Sequence, residues 1–248
     1  MTERAIDTTI VQLSQTNLQI SAYLAKPKSP GNYPGIVVLQ EIFGVNSHIR
    51  EVTERIAREG YVAIAPALYQ RIAPNFEIGY TPEDIEIGKK HKIQTLASEL
   101  LSDIQLAIEY LKKLPETTKD KFGCIGFCFG GHVAYLASTL NDIQATASFY
   151  GAGITNSTPG GGDTTLSLTP KIKGTIYTFF GMEDDSIPQE QVDQIEAELT
   201  KYNISHKVFR YDGADHGFFC DHRGSYNPNA AADAWKKVKE LFSKQLSS

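Results

Sequence analysis

Two periods of apolar residues run through this chain, and the places where one gives way to the other predict its elements. Residues 8–14 (TTIVQLS) and 18–27 (LQISAYLAKP) alternate apolar and polar side chains, the pattern of antiparallel edge strands with one face in water. The polar residues 15–17 between them predict a turn. From residue 35 the pattern changes. The run 35–40 (GIVVLQ) is continuously apolar and rich in β-branched residues, which predicts a strand covered on both faces. Residues 61–66, 121–127, 145–151 and 173–181 read in the same way, and 206–213 (HKVFRYDG) more faintly.

Helical spacing fills the intervals. Leu96, Leu100, Leu101, Ile104, Ala107, Ile108 and Leu111 share one face at a period of about 3.6 residues. A helix over 187–201 starts near Pro188 and carries Val192, Ile195 and Leu199. Asn227 followed by Pro228 predicts the cap and first turn of a last helix, with Trp235, Val238, Leu241 and Phe242 as its apolar stripe. GVNSHIRE reads as a strand-to-helix turn capped by Asn46 or Ser47. Buried strands alternating with amphipathic helices predict an α/β fold: one domain over 1–248, with a mainly parallel sheet of about eight strands and helices on both faces. Two stretches interrupt the rhythm. Residues 70–95 form a long polar connection in which TPED starts a short helix, and 155–170 (TNSTPGGGDTTLSLTP) read as a flexible loop. Because the alternation resumes at once, that loop is an excursion near the site rather than a domain boundary.

Composition narrows the function classes. A formal charge of −5 with no block of like charges argues against nucleic acid or an anionic membrane as the partner. The N-terminus has no apolar run of signal-peptide length, and no run reaches membrane-spanning length. Three cysteines in 248 residues are too few for a disulfide framework, so free thiols in a reducing cytoplasm are expected.

One of those thiols has a setting of its own. In FGCIGFCFGGHVAYLAS, Gly126 and Gly130 flank Cys128 two residues to either side, at a predicted strand-turn-helix. This is the nucleophile-elbow spacing with cysteine in place of serine. A residue strained at such a turn needs neighbours without Cβ atoms, and the helix N-terminus favours a thiolate. The nucleophile needs a base and the base an acid, in the chain order nucleophile, acid, histidine. GMEDDSIP, after a buried strand, offers Asp184 or Asp185; GADHGFF, after the last strand, offers His216. Other readings are blander. A lone cysteine is usually a small buried side chain; Cys124 keeps that reading, and Cys220 lies near the site without a partner that would make it reactive. Zinc ligation by Cys128 with His132, or by His216, Cys220 and His222, is possible by spacing, but no C-x-x-C accompanies it and no metal is expected. His48, His91, His132 and His206 read as packing or surface residues, and Tyr150 either packs or faces the site. Glu41 ends a buried strand, where an unpaired charge is costly, so a functional partner is expected for it.

From about residue 34 to the final helix the chain resembles the dienelactone hydrolase family of α/β-hydrolases, through QEIFGVNSHIRE, PALYQR, GFCFGG, FYGAG, the GxxDxxIP pattern and GADHGF. The resemblance implies Cys128 as nucleophile, His216 as base and Asp184 as the acid. It implies Glu41 as the carboxylate that engages the resting thiol, and the backbone N–H groups of Ile42 and Phe129 as an oxyanion hole, in keeping with the usual placement of such donors. It implies no cofactor. The family's lactone hydrolases hold the substrate carboxylate with two arginines. One falls four residues after the histidine, where this chain has Cys220; the other falls in the long connection, where TPEDIEIGKK has none. Arg71, Arg223, Lys89 and Lys90 are the candidate substitutes, and Arg71, Tyr150 and Arg223 are the candidate substrate contacts. The resemblance thus implies a cysteine-dependent hydrolase of a lactone or small carboxylic ester. A thioesterase or other carboxylesterase on the same triad, and a non-catalytic binding protein of hydrolase fold, stand as the alternatives.

Overall fold

A computed structural model describes residues 4–15 and 18–246. Eight strands form one sheet: β1 (Ile6–Gln15), β2 (Leu18–Pro27), β3 (Tyr33–Leu39), β4 (Val62–Pro66), β5 (Thr117–Phe127), β6 (Ile143–Phe149), β7 (Thr175–Gly181) and β8 (His206–Tyr211). Their order is β1-β2-β4-β3-β5-β6-β7-β8. β2 pairs antiparallel with β1 and with β4, and every pairing from β4 to β8 is parallel. The expected antiparallel pair therefore sits at one edge. Residues 16–17, within the expected turn, lie outside the described residues.

Both faces of the sheet are covered, which is why its inner strands read as unbroken apolar runs. Ile36, Val38, Ile125 and Phe127 turn to one core, where they meet Ile49, Val52 and Ile56 of helix α1 (Ser47–Arg58). Val37, Leu39, Phe122 and Cys124 turn to the other, against Leu100, Ile104 and Ile108 of helix α3 (Ala97–Lys113). Between these helices in sequence lies α2 (Pro82–Lys92), opened by a capping box in which Thr81 and Asp84 exchange hydrogen bonds. Helix α4 (Phe129–Ala137) follows β5, α5 (Gln189–Lys201) precedes β8, and α6 (Pro228–Leu246) closes the chain. Asn46 caps α1 by accepting from the Ile49 N–H, and Asn227 accepts from the Ala230 N–H at the start of α6.

Residues 155–164 of the loop read from composition form turns and bends, but the rest of the segment departs from that reading. Residues Thr165–Lys171 form a 3₁₀ helix. The Thr165 hydroxyl meets His132 Nε2 at 2.7 Å, and the Thr169 hydroxyl meets the Tyr135 hydroxyl at 2.7 Å. Both threonines are fully buried. Loop-like composition here supplies partners for buried polar groups of α4, a long-range match that local patterning does not report.

Candidate active site

Cys128 stands where β5 turns into α4, at φ 55° and ψ −117°. A non-glycine residue at positive φ is uncommon and marks a position the surroundings enforce. Here the enforcement is steric. A Cβ on Gly126 would lie 1.9 Å from the Gly130 carbonyl oxygen, and one on Gly130 would lie 2.2 Å from the Leu39 carbonyl oxygen. The two glycines thus let α4 press against the ends of β5 and β3. The Cys128 N–H donates to the Phe149 carbonyl at 3.1 Å, tying the elbow to β6.

The other two candidates arrive on neighbouring strand ends. Asp184 follows β7 and is almost fully buried, with one carboxylate oxygen accepting from the Ser186 N–H at 2.8 Å. Its other oxygen is 2.7 Å from His216 Nδ1. Asp185, the alternative acid, is exposed. Burial disfavours a charged His216, yet the Cys128 charge and the hydrogen bonds to Asp184 and Cys128 outweigh it and lift the imidazole to about 10. Sulfur, imidazole and carboxylate therefore form one coupled chain in the expected order. Burial pushes Cys124 and Cys220 each up to about 12, leaving both protonated near neutral pH.

Around this chain lie the remaining candidates. Glu41 is fully buried just beyond β3; one of its oxygens accepts from Arg223 Nη1 at 3.0 Å, and Oε2 has no partner. Arg223 thus brings a guanidinium to Glu41 from three positions beyond Cys220. Gly217 makes room for it: at φ 81°, a Cβ there would meet Arg223 Nη1 at 2.5 Å. Cys220 itself donates to the Tyr80 hydroxyl at 3.4 Å. Tyr150 is fully buried at φ 36°, with its ring 5.2 Å from the His216 ring and its hydroxyl unpartnered. Phe129 is the first residue of α4, so its N–H has no acceptor within the helix. Ile42 follows Glu41 and is braced by α2, where a Cβ on Gly88 would meet the Ile42 carbonyl oxygen at 2.5 Å.

Arg71 is not brought to this group. Its guanidinium grips the buried Asp103 of α3 at 2.5–3.2 Å in a bidentate pair. Lys89 is bound to Glu86 on the surface of α2. His132 has both ring nitrogens engaged, by the Ala152 carbonyl and the Thr165 hydroxyl, so the Cys128–His132 zinc pairing finds no free imidazole nitrogen. Two residues escaped the sequence reading. Tyr69 stacks on Phe129 at 5.7 Å with its buried hydroxyl unpartnered, and burial together with the Cys128 charge raises its pKa strongly. Tyr80 accepts from Asn46 and from Cys220. Tyr69 lies within PALYQR, but no spacing singled out its hydroxyl.

A nucleophile-type residue at a strained strand-to-helix turn, with a histidine and a buried acid at later strand ends of a mainly parallel sheet, defines an α/β-hydrolase. The dienelactone hydrolase family model matches residues 20–246. A Synechocystis protein described as a carboxymethylenebutenolidase is 59% identical over 241 residues, covering 97% of this chain and 98% of its own. An Escherichia coli protein of the same description is 31% identical and is covered over 81% of its length. The crystal structure of a Klebsiella pneumoniae protein described as a dienelactone hydrolase superposes with a TM-score of 0.87 at 28% identity, covering 97% of this chain and 99% of that one. The chain belongs to the dienelactone hydrolase family and is a hydrolase.

Proposed function

We propose that this hydrolase cleaves a lactone or small carboxylic ester through an acyl-enzyme on Cys128. The observation that carries the reading is the 2.7 Å contact of Asp184 with His216, whose imidazole feels the Cys128 charge, with Cys128 the one cysteine at a strained elbow. In the first step His216 takes the Cys128 thiol proton and the sulfur bonds to the substrate carbonyl carbon, whose C=O π pair moves onto the oxygen. The carbonyl oxygen, now negative, is held by the N–H groups of Ile42 and Phe129. The C–O bond to the leaving alcohol then breaks as His216 passes it a proton; in a lactone that alcohol stays on the same molecule. Water then attacks the thioester while His216 removes its proton, and the C–S bond breaks to give a carboxylic acid and the resting thiol. Asp184 holds the imidazole in register throughout.

Glu41 and Arg223 give this reading its substrate side. The unpartnered Glu41 Oε2 is the acceptor available to the resting thiol, and Arg223, held positive by Glu41 and the Cys128 charge against the cost of burial, offers a carboxylate its guanidinium. An anionic lactone is therefore the leading substrate class, with the Tyr150 hydroxyl as a further contact.

A panel of carboxylate-bearing lactones, neutral p-nitrophenyl esters and acyl thioesters, compared by kcat/KM, tests the proposal. We expect lactones or esters to lead, iodoacetamide to label Cys128 and abolish turnover, and Cys128→Ala to be inactive. Full activity in Cys128→Ala would sink the mechanism; a thioester-led panel would keep the site and replace the substrate class.

A further inference from the structure

Beside the proposed catalytic residues lies a second cluster, which shares Glu41 with the proposed hydrolysis but adds His48 and Cys220, which that chemistry does not use. One carboxylate oxygen of Glu41, one ring nitrogen of His48 and the sulfur of Cys220 all lie within 4.8 Å of one another, and all three residues are buried. His48 is 2% exposed and Cys220 fully enclosed. Burial without a partner is costly for a polar atom, and such atoms are rare. Here two occur in one cluster: Glu41 Oε2 and His48 Nε2 each lack any hydrogen-bond partner. We propose that Glu41, His48 and Cys220 form a binding site for zinc or a similar thiophilic divalent cation, and that the cation inhibits the hydrolase by occupying Glu41.

The donor set is carboxylate, imidazole and thiolate, the mixed hard and soft set that suits zinc and excludes magnesium and calcium, which take oxygen donors. A tetrahedral zinc separates its donors by roughly 3.3–3.6 Å, so side-chain movements of about an ångström close the site. The Asp221 carboxylate lies 4.0 Å from His48 Nδ1, putting negative charge on the far side of the ring. Tyr80 lies 3.4 Å from the Cys220 sulfur and accepts from Asn46, leaving its own proton for a thiolate. A cavity of about 200 Å³ reaches His48, with the carboxylates of Glu51 and Asp221 and the guanidinium of Arg55 also in its lining. On binding, the metal–sulfur bond forms and the Cys220 proton leaves to solvent; the cation replaces the charge balance that keeps the empty site's thiol protonated. Arg223 binds the other oxygen of Glu41, Oε1, and leaves Oε2 free.

Inhibition rests on the proposed role of Glu41, whereas binding does not, and the test separates them. In Cys128→Ser, Co²⁺ should bind stoichiometrically with a near-ultraviolet thiolate-to-cobalt charge-transfer band, and that band should vanish in Cys128→Ser/Cys220→Ser. His48→Gln should weaken Zn²⁺ binding at least about tenfold, since even outer-shell changes cost that much. A band that survives loss of Cys220, or affinity indifferent to both changes, overturns the site. Cys220→Ala serves as a second variant, with circular dichroism reporting its fold. In otherwise native enzyme, Cys220→Ser should raise the inhibitory Zn²⁺ concentration at least about tenfold; unchanged inhibition overturns the regulatory half. If the enzyme turns over no ester at all, the cobalt spectrum still decides the site.

Discussion

Gly130→Ala tests whether close approach of α4 to β3 positions the active site. The added Cβ would lie 2.2 Å from the Leu39 carbonyl oxygen and 2.5 Å from that of Gln40. Both obstacles are main chain at the end of a central strand, so neither can rotate aside, and relief to ordinary contact requires a shift of about an ångström. Overpacking of this kind costs about 1–3 kcal/mol, and the backbone contact puts this case near the upper end. Alanine recovers roughly 1 kcal/mol of helix propensity over glycine. The net loss is then about 2 kcal/mol, a Tm fall of roughly 4–8 °C for a chain of this size. The displaced backbone leads directly into Glu41 and Ile42. A misplacement near 1 Å costs about 100-fold in rate, so kcat/KM on an activated ester should fall by that order. Thermal unfolding and ester kinetics read the two effects. Gly224→Ala is the control, because a Cβ there meets nothing within 4 Å, and it should change stability by less than about 0.5 kcal/mol. If Gly130→Ala matched the control in Tm and kcat/KM, the close approach would not position the site.

Two further outcomes follow from the electrostatics. His216, lifted to about 10 from its ordinary 6.5, binds its proton more tightly folded than unfolded. Its contribution to stability is fully present below about pH 6.5 and is lost as pH rises toward 10. Denaturant midpoints across that range should show the decline, and Asp184→Asn should reduce it; equal pH profiles in the two proteins would refute the linkage. Arg223→Gln leaves the fully buried Glu41 carboxylate without its cation. Breaking one side of a buried pair costs about 3–5 kcal/mol, and Glu41→Gln in the same chain should recover part of it; additive losses in urea unfolding would show the two are not coupled.

The strands and the Cys128 elbow were legible because each depends on spacing within a short stretch, whereas Asp184 and His216 became candidates through chain order and the family resemblance. Runs such as GIVVLQ report burial on both faces, and G-x-C-x-G reports a close crossing; the sheet order and the Cys128 φ of 55° agree with both. What was not legible depends on side chains meeting across the fold. Arg71 and Arg223 looked equivalent in sequence. Asp103 claims the first, while the backbone of Gly217 opens a path for the second to Glu41. The substrate arginine that the family resemblance places at position 220 is absent, and Arg223, three positions on, brings a guanidinium to Glu41 instead. The end of the polar segment 155–170 misled in the opposite direction, since Thr165 and Thr169 are buried partners of His132 and Tyr135.

Glu41 belongs to both the proposed thiol activation and the proposed cation site. A fully buried carboxylate with one oxygen on Arg223 and the other unpartnered is poorly satisfied at rest. Such a group gains from any donor or cation that reaches the free oxygen. The Cys128 thiol and a divalent cation on His48 and Cys220 are rival claimants to it, and a substrate carboxylate on Arg223 weakens the hold on the other oxygen. In the proposed cycle, substrate binding changes how strongly Glu41 attracts the thiol proton, while a cation removes Glu41 from that exchange. Replacing Glu41 by glutamine should therefore reduce turnover and zinc sensitivity together, whereas Cys220→Ser should reduce zinc sensitivity alone.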